Sequence, residues 1–367
     1  MKNSIKLGSL FFKNNITFCT GVPDSLLKPF LKNIKKVGKF KHIQAVNEGN
    51  AVSLAAGWQT VSNKVPLVYM QNSGLGNAIN PLISLTHSKV YSIPLVLLIG
   101  WRGEPNKHDE PQHIEMGKIT LDILKLLNIK TIILGKKFSS HKVNELINYS
   151  IKNKKVVAFL VKKEFFNNEG IKEKNNLNSN NILRYNFLET LVDEIEINTR
   201  IISSTGYTSR ELDEIRKRKI NSKGKDFYMV GAMGHTSIFS LGVAEATKKK
   251  IICIDGDGSM LMHFGSLFTI GQMKKTNLKY ILLNNNCHES VGSQKTNINN
   301  VNINIISKGL GFQNYTKISN KKNMRILTKK FLNSKKSNFL EVRIKNISIE
   351  NLGRPKNLKK ILANFSF

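Results

Sequence analysis

Cysteine is scarce in this sequence, and its scarcity excludes a disulfide framework. The 367 residues include three cysteines, Cys19, Cys253 and Cys287, which are widely separated and odd in number. They form neither a CxxC metal motif nor the paired spacing of a disulfide-rich secreted domain. We therefore expect the protein to work in the reducing environment of the cytoplasm.

Long apolar segments are also missing. No run approaches the roughly 20 apolar residues that a transmembrane helix requires, and the N-terminal segment lacks the sustained apolar core of a secretory signal peptide. We therefore expect no membrane partner and no signal peptide. Hydrophobic residues nevertheless make up 40% of the chain, a globular composition, and 367 residues are enough for two domains with separate cores.

Acidic residues are few compared with basic ones. Lys and Arg number 57 and Asp and Glu number 25, so the formal net charge is 57 − 25 = +32. Such a charge is the electrostatic signature of a nucleic-acid-binding protein. Here the excess is mostly lysine, scattered from Lys2 to Lys360, without the interleaved aromatic residues of a base-stacking surface. We favour a general bias of composition and expect no nucleic-acid partner, with nucleic-acid binding as the competing hypothesis.

Short apolar runs alternate with helical patterns in both halves, which predicts parallel β-α units. The strands are predicted at 16–19, 42–46, 65–71, 93–100, 130–134 and 155–161, and then at 200–204, 226–230, 250–255, 279–284, 313–318 and 338–344. The helices predicted in the first half are 25–36, 49–60, 78–86 and 142–152. A polar stretch without periodicity separates the halves and predicts a linker at 164–182. The predicted fold is α/β, with domains at 1–163 and 183–367, each a mostly parallel sheet flanked by helices.

A glycine-rich turn in the second half carries most of the functional information. An apolar run ends there in Gly256, Asp257, Gly258 and Ser259, and a second apolar run ends in three asparagines at 284–286. Ligands bind at the carboxyl ends of strands in open α/β sheets, and the two glycines allow the backbone to approach a phosphate. Because a carboxylate repels a diphosphate, Asp257 predicts a bridging Mg²⁺. An asparagine amide oxygen and a backbone carbonyl would complete its coordination.

This Gly-Asp-Gly-Ser turn, followed about 28 residues later by an asparagine pair, resembles the diphosphate-binding motif of thiamine-diphosphate-dependent enzymes. The resemblance implies thiamine diphosphate and Mg²⁺ as cofactors. It implies Asp257 and Asn285 as metal ligands, with the carbonyl of Cys287 as the third. Spacing does not separate Asn284 from Asn285, and we choose Asn285 as the second of the pair. A generic α/β turn is the alternative.

The first half offers the second element that such an enzyme needs. The reactive form of the cofactor requires a carboxylic group that is hydrogen-bonded to a nitrogen of its aminopyrimidine ring. Glu48 follows a predicted strand and opens an Ala/Gly-rich helix, as in the pyrimidine-binding domain of the family. The resemblance therefore implies Glu48 as the catalytic residue and as a cofactor contact. The alternative is an ordinary helix-dipole partner.

Other residues are implied as cofactor contacts. Met233 would support a bent cofactor, or else pack in the core. Thr205 and Gly206 would add donors to the diphosphate, or else cap a helix. The remaining implied contacts are Asn72, Gly74, Gly234, His235, Gly256, Gly258 and Ser259.

Segments along nearly the whole chain resemble the phosphonopyruvate decarboxylases and, more loosely, the sulfopyruvate decarboxylases. The matching segments are 21–25, 47–49, 71–77, 101–105, 109–113, 234–235, 288–290 and 352–355. The resemblance implies decarboxylation of 3-phosphonopyruvate to phosphonoacetaldehyde and carbon dioxide. It also implies a dimer or higher oligomer with the active site at a subunit interface. A sulfopyruvate decarboxylase, or another 2-oxo acid decarboxylase or carboligase, is the alternative.

An anionic substrate needs cationic or N–H donors. The candidates for substrate contact are Asp24, Asn72, Arg102, Lys107, His113 and His288. His113 and His288 are equally compatible with a structural role, and Asp24 with a helix cap. Asn106 and His108 stand where the resemblance leads us to expect Gly and Lys, and Ser293 replaces an expected Gly.

Overall fold

The computed structural model describes residues 2–166, 182–350 and 352–366. The chain forms two compact units, Met1–Glu173 and Lys174–Phe367, called here the N-terminal and C-terminal units. The predicted linker, 164–182, lies mostly outside the described residues, and the predicted domain boundaries stay predictions. In the described parts of the chain no helix combines the length and apolarity needed to cross a membrane.

The N-terminal unit is built on a parallel six-stranded sheet. Its strands are β1 (Phe18–Gly21), β2 (Lys41–Gln44), β3 (Leu67–Gln71), β4 (Val96–Gly100), β5 (Lys130–Leu134) and β6 (Val157–Val161), in the order β2-β1-β3-β4-β6-β5. Its helices are α1 (Asn3–Lys13), α2 (Lys28–Val37), α3 (Glu48–Ser62), α4 (Leu75–Pro81), α5 (Pro111–Leu126) and α6 (Ser140–Asn153). Strands β4 and β6 are apolar and buried along their whole length. Such runs are typical of strands covered on both faces, and separate apolar clusters pack on the two sides.

The C-terminal unit repeats this plan. Its strands are β7 (Arg200–Ser203), β8 (Lys225–Tyr228), β9 (Ile251–Gly256), β10 (Leu278–Asn284), β11 (Cys287–His288), β12 (Gln294–Lys295), β13 (Asn314–Ile318) and β14 (Asn338–Arg343). Six form a parallel sheet, β13-β14-β10-β9-β7-β8, and β11 and β12 pair as a separate antiparallel hairpin. The helices are α7 (Arg184–Glu194), α8 (Tyr207–Arg218), α9 (Thr236–Ala246), α10 (Asp257–Met262), α11 (Gly265–Met273), α12 (Ile303–Gly309), α13 (Met324–Asn333) and α14 (Leu358–Phe365).

The predicted α/β class is confirmed, and each of the twelve predicted strands overlaps an observed one. Among the helices of the N-terminal unit, sequence reasoning did not identify α1 and α5, and in the C-terminal unit it did not identify the β11–β12 hairpin. Helix α5 begins at Pro111, so His113 lies in its first turn. The helix predicted at 25–36 starts at Lys28, without a side-chain cap. In each six-stranded sheet the strands are parallel, so their carboxyl ends lie along one edge, where ligands bind in sheets of this kind.

Candidate active site

Glu48 is the first residue of α3, in the segment that follows β2. Asn47 caps this helix, since its Oδ1 accepts the Asn50 N–H at 2.8 Å. The Glu48 side chain is buried, with 5% exposure, and its Oε2 accepts a hydrogen bond from Asn77 Nδ2 at 2.8 Å. Burial raises its pKa, although the bond from Asn77 opposes the shift. The structure therefore holds a carboxyl group in one orientation in surroundings that favour its neutral form.

Gly74 provides the space that Glu48 occupies. It ends a single 3₁₀ turn, Asn72–Gly74, directly after β3. A Cβ at position 74 would lie 2.4 Å from both Cγ and Oε1 of Glu48. The absence of a side chain at Gly74 is thus a condition for the observed position of the glutamate, and the structure brings these two predicted residues together.

Asp24 lies in the loop after β1 and is almost fully buried. Its Oδ2 accepts the Leu26 N–H at 2.9 Å, so it closes a turn and does not cap α2. Gly100, at the end of β4, leaves room for this carboxylate, because a Cβ there would lie 2.2 Å from Oδ2. Within the described structure Oδ1 is buried without a hydrogen-bond partner. Burial raises the pKa of Asp24 to about 6, against the opposing charge of Arg102.

Arg102 and His113 converge on a third residue, Asp109. The guanidinium donates Nε–H and Nη2–H to the two carboxylate oxygens at 2.8 and 2.5 Å, and His113 Nδ1 lies 2.9 Å from Oδ1. Burial raises the pKa of Asp109, but hydrogen bonds from Arg102 and His113 outweigh it and hold this pKa far below its usual range. The cationic charge predicted for this loop is therefore offset by a carboxylate.

Asn72 holds the backbone of the same loop at Arg102. Its Nδ2 donates to the Arg102 carbonyl and to Thr120 Oγ1, each at 2.9 Å, and its Oδ1 accepts the Arg102 N–H at 3.1 Å. Asn72 is fully buried. The structure therefore gives its amide a role in holding the Arg102 backbone.

Two of the three departures from the family pattern, Asn106 and Ser293, occur where the backbone is left-handed. Asn106 has φ 64° and Ser293 has φ 57°, a region in which glycine is the usual residue. Asparagine is among the side chains that tolerate this conformation best. The backbone form that a glycine would favour is thus kept at both positions. The neighbouring Lys107 is exposed.

Asp257 begins α10 at the end of β9 and is 3% exposed. Its Oδ2 accepts a hydrogen bond from Thr296 Oγ1 at 2.6 Å. Burial raises the pKa of Asp257 to about 6, even though Thr296 and backbone N–H groups donate to it. Gly256, just before it, has open space where a Cβ would be. Because burial of an unpaired charge is costly, a cation bound at Asp257 would stabilise the ionised form of this carboxylate.

The two asparagines after β10 face different surroundings. Asn284 is buried and donates its Nδ2 to Glu341 Oε1 on β14 at 2.9 Å. Asn285 donates its Nδ2 to Glu289 Oε2 at 3.0 Å, and its Oδ1 accepts the Cys287 N–H at 3.2 Å. Asn284 is therefore tied to the sheet interior, whereas Asn285 belongs to the loop that leads into β11.

Met233, Gly258 and His288 lie together in the C-terminal unit. A Cβ at Gly258 would be 2.5 Å from His288 Nδ1 and 3.4 Å from the Met233 methyl carbon. Burial lowers the pKa of His288 to about 4, so its ring is neutral near pH 7 and carries no cationic charge. Gly231, Ala232 and Gly234 all have positive φ, and this tight turn aims Met233 at the end of β9.

Short polar contacts hold the surrounding turns. Ser259 Oγ accepts the Gly234 N–H at 3.0 Å, and Thr205 Oγ1 accepts the Gly231 N–H at 3.3 Å. Gly206, at φ 94°, precedes α8, and a Cβ there would lie 3.7 Å from Ser290 Oγ. The predicted residues after β7, β8 and β9 are thus neighbours through the 231–234 turn.

His235 is exposed and stacks on His263, with ring centroids 4.4 Å apart and an interplanar angle of 23°. Gly234 allows this arrangement, because a Cβ there would lie 2.4 Å from the His263 ring. Burial, followed by the charge of His235, lowers the pKa of His263.

Comparison with known proteins identifies the family. The chain matches the models described as "Thiamine pyrophosphate enzyme, N-terminal TPP binding domain" over residues 10–126 and "Thiamine pyrophosphate enzyme, C-terminal TPP binding domain" over residues 204–342. It is 31% identical over 358 residues to a phosphonopyruvate decarboxylase of Streptomyces viridochromogenes, which covers 93% of this chain and 88% of that protein. The chain belongs to the thiamine pyrophosphate enzyme family.

Other relatives carry the name sulfopyruvate decarboxylase. The protein of Methanosarcina acetivorans is 27% identical, over 93% of this chain and 90% of its own length. The enzyme of Methanocaldococcus jannaschii has separate subunits: beta is 38% identical over 36% of this chain and 69% of the subunit, and alpha is 34% identical over 41% and 85%. All of these relatives are named decarboxylases, which are carboxy-lyases. The predicted resemblance is confirmed.

The residues present fit the cofactor of a thiamine pyrophosphate enzyme. Glu48 supplies a buried carboxyl group, and Asp257 a buried carboxylate in a glycine-flanked turn. Among the described residues, no three His, Cys, Asp or Glu side chains form a metal-binding cluster. A cation at Asp257 would therefore take its other ligands from amide, main-chain, phosphate and water oxygens, which is the usual mode for Mg²⁺.

Sequence reasoning missed four residues that hold these groups: Asn77, Asp109, Glu289 and Thr296. The first three lie inside segments that carried the family resemblance, so a signal was available. Their partners are 29, 7 and 4 residues away along the chain respectively, and periodicity does not reveal such pairings. Thr296 is 39 residues from Asp257, and no motif marked it.

Proposed function

We propose that the protein decarboxylates 3-phosphonopyruvate to phosphonoacetaldehyde and carbon dioxide, using thiamine diphosphate and Mg²⁺. The observation that carries this proposal is the 31% identity to a phosphonopyruvate decarboxylase over 93% of the chain. It is supported by two strand-end groups that such a reaction needs, the buried carboxyl of Glu48 and the buried carboxylate of Asp257.

Glu48 is proposed as the catalytic residue. Thiamine diphosphate, when bound, supplies the nucleophilic carbon and the electron sink for loss of carbon dioxide. The Glu48 carboxyl would form a hydrogen bond with a nitrogen of the aminopyrimidine ring and hold a proton there. Burial raises the pKa of Glu48, which brings it nearer the pH at which proton exchange is efficient. Asn77 and Gly74 keep the carboxyl in place.

The diphosphate and Mg²⁺ are assigned to the C-terminal unit. We propose Asp257, Asn285 and the Cys287 carbonyl as the metal ligands. The separate hydrogen bonds of the two asparagines favour Asn285, since Asn284 is tied to the sheet interior by Glu341. The backbone at Gly256, Gly258 and Ser259, together with Thr205 and Gly206, would donate to the diphosphate. Met233, Gly234 and His235 would border the thiazolium ring.

The substrate residues are assigned from the N-terminal loop and the β11 hairpin. Arg102 and His113 are bound by Asp109, so we propose that they shape the loop, with Asn72 supporting it. Lys107, exposed and next to Asn106, is the cation proposed to meet the phosphonate. His288, being neutral, is proposed as a hydrogen-bonding contact. Asp24 is proposed to orient the substrate or a water molecule.

Self-association is also proposed, as a dimer or higher oligomer with the cofactor at a subunit interface. The sulfopyruvate decarboxylase of Methanocaldococcus jannaschii, which matches this chain as an alpha and a beta subunit, supports an assembly of more than one chain. A cytoplasmic location stays a prediction.

Sulfopyruvate decarboxylation is the second candidate, because relatives with that name match up to 93% of the chain. A sulfonate and a phosphonate are both tetrahedral anionic groups, and they differ in charge.

A substrate panel tests the proposal. Carbon dioxide release would be measured with 3-phosphonopyruvate, sulfopyruvate and pyruvate, each with and without thiamine diphosphate and Mg²⁺. We expect cofactor-dependent release that is fastest with 3-phosphonopyruvate. Faster turnover of sulfopyruvate or pyruvate would overturn the substrate assignment, condensation products would indicate a carboligase, and release that ignores the cofactors would overturn the reaction class.

A further inference from the structure

A buried ion triad lies behind Asn285 in the C-terminal unit. It consists of Arg184, Glu211 and Glu289. Arg184 Nη1 donates to Glu211 Oε1 at 3.0 Å, and Arg184 Nη2 donates to Glu289 Oε2. Arg184 is 3% exposed and Glu211 is fully buried. The guanidinium is thus shared between the two carboxyl groups.

The triad joins three separate segments of the unit. Arg184 opens α7, Glu211 lies in α8, and Glu289 opens a 3₁₀ turn, Glu289–Val291, after the β11 strand. The Tyr207 ring supports the guanidinium from one side, with its centroid 5.7 Å away. Buried charges of this kind are held by their partners, since the loss of one partner leaves an uncompensated charge. Arg184 therefore holds the Glu289 carboxylate in place.

Glu289 in turn determines which way the Asn285 amide faces. A carboxylate only accepts hydrogen bonds, so the group 3.0 Å from Glu289 Oε2 has to be the Asn285 NH₂. The Asn285 Oδ1 is then turned to the opposite side. It accepts one N–H, from Cys287, and an amide oxygen has a second lone pair.

We infer that Glu289, held by Arg184 and Glu211, is a positioning residue that presents the Asn285 Oδ1 to a divalent cation. The inference rests on the proposed function, in which Asn285 is a Mg²⁺ ligand. Residues behind metal ligands act in this way when they set ligand orientation, and their loss typically weakens metal binding about 10- to 100-fold.

The chain contains a matched control in the neighbouring asparagine. Glu341 accepts from the Asn284 Nδ2 at 2.9 Å, as Glu289 accepts from Asn285, and both members of this pair are 1% exposed. The two pairs therefore share their chemistry and differ in which asparagine is held. E341Q should lower stability without changing Mg²⁺ affinity.

The test measures the Mg²⁺ affinity of the full-length chain by calorimetry in the presence of thiamine diphosphate. E289Q should weaken Mg²⁺ binding about 10- to 100-fold, because a glutamine no longer requires the Asn285 NH₂ to face it. N285D should also weaken binding, since it places two carboxylates side by side. The double variant N285D/E289Q restores the hydrogen bond with its polarity reversed, keeps an oxygen towards the cation and keeps the total charge. It should recover most of the lost affinity.

Unchanged Mg²⁺ affinity in E289Q, or equal losses in E289Q and E341Q, would overturn the inference. The inference would also be overturned if N285D/E289Q bound Mg²⁺ no more tightly than N285D. If circular dichroism shows that E289Q is unfolded, this comparison of N285D with the double variant is the deciding test. Absence of Mg²⁺-dependent thiamine diphosphate binding in the wild-type chain would instead contradict the proposed function itself.

Discussion

Gly74 and Glu48 are placed so that neither could keep its position if the glycine had a side chain. The distance from a Cβ at 74 to Glu48 Oε1 would be 2.4 Å, well inside van der Waals contact. The first prediction follows: Gly74→Ala displaces the Glu48 carboxyl by roughly 1 Å, and misplacement of that size costs about 100-fold in rate. Steady-state kinetics of carbon dioxide release measures it. Gly76→Ala, with open space around its Cβ, is the control and should keep near wild-type activity.

Glu48→Gln keeps the shape of the side chain and removes its acid-base function. We expect kcat to fall by about 10²- to 10⁴-fold, the usual contribution of a positioned acid-base group, and Glu48→Ala to abolish turnover almost completely. Thiamine diphosphate should still bind in part, because the diphosphate contacts are elsewhere. Calorimetry alongside kinetics separates the two effects. Glu145→Gln, an exposed glutamate of the same unit, is the control, and an active Glu48→Gln enzyme would refute the assigned role.

Asp257→Ala should act on binding first. Removing the carboxylate deprives Mg²⁺ of a charged ligand, so affinity for Mg²⁺ and thiamine diphosphate should fall by more than the roughly 10- to 100-fold typical of residues behind the ligands. Titration of thiamine diphosphate at several Mg²⁺ concentrations reports the change. Asp213→Asn, which affects an ion pair with Lys217 on α8, should leave both affinities unaltered. Equal affinity in Asp257→Ala and the wild-type chain would rule out the metal role.

Asp24 gives the unfolding of the cofactor-free chain a specific pH dependence. Burial raises the pKa of Asp24 to about 6 from 3.8, so the folded state prefers the neutral carboxyl. Its contribution to stability is complete below about pH 4 and is lost as the pH rises through about 6. Asp24→Asn is neutral at every pH and escapes this loss. By pH 8 the advantage of the variant should reach the order of 2–3 kcal/mol.

Urea unfolding of the wild-type chain and of Asp24→Asn between pH 4 and 8 checks this prediction. The midpoint of the variant should exceed that of the wild type at pH 8, and the two should converge towards pH 4. A constant difference between the midpoints across this range would show that the Asp24 carboxyl does not titrate near pH 6. Asp122→Asn, an exposed position on α5, should show no such divergence.

Residues at strand ends were predictable from the sequence, and their supports were not. Glu48 and Asp257 each follow an apolar run and stand next to glycine, a local pattern that the chain displays directly. Asp109 was passed over, because its function depends on a loop that folds back so that Arg102 and His113 reach one carboxylate. Arg102 and His113 were consequently predicted as candidates for contact with the anionic substrate, with a structural role as the alternative for His113. In the structure both side chains contact the Asp109 carboxylate.

The asparagine pair shows the same limit. Spacing left Asn284 and Asn285 equivalent, because successive residues at the end of a strand occupy the same place in any one-dimensional pattern. The structure separates them by their partners, Glu341 for Asn284 and Glu289 for Asn285. Each glutamate is separated from its asparagine along the chain, by 57 residues for Glu341 and by 4 for Glu289. Only the folded structure shows which asparagine is tied to the sheet interior.

By itself the sequence determined the α/β class, the twelve strands of the two sheets and the family, because these depend on local periodicity and on short motifs with fixed spacing. Tertiary structure alone decided which way each polar side chain faces. It turned the Asn285 amide towards Glu289, paired the Arg102 cation with Asp109 and lowered the pKa of His288 by burial. Orientation and charge depend on partners far apart along the chain and on burial, both of which come into existence only when the chain is folded.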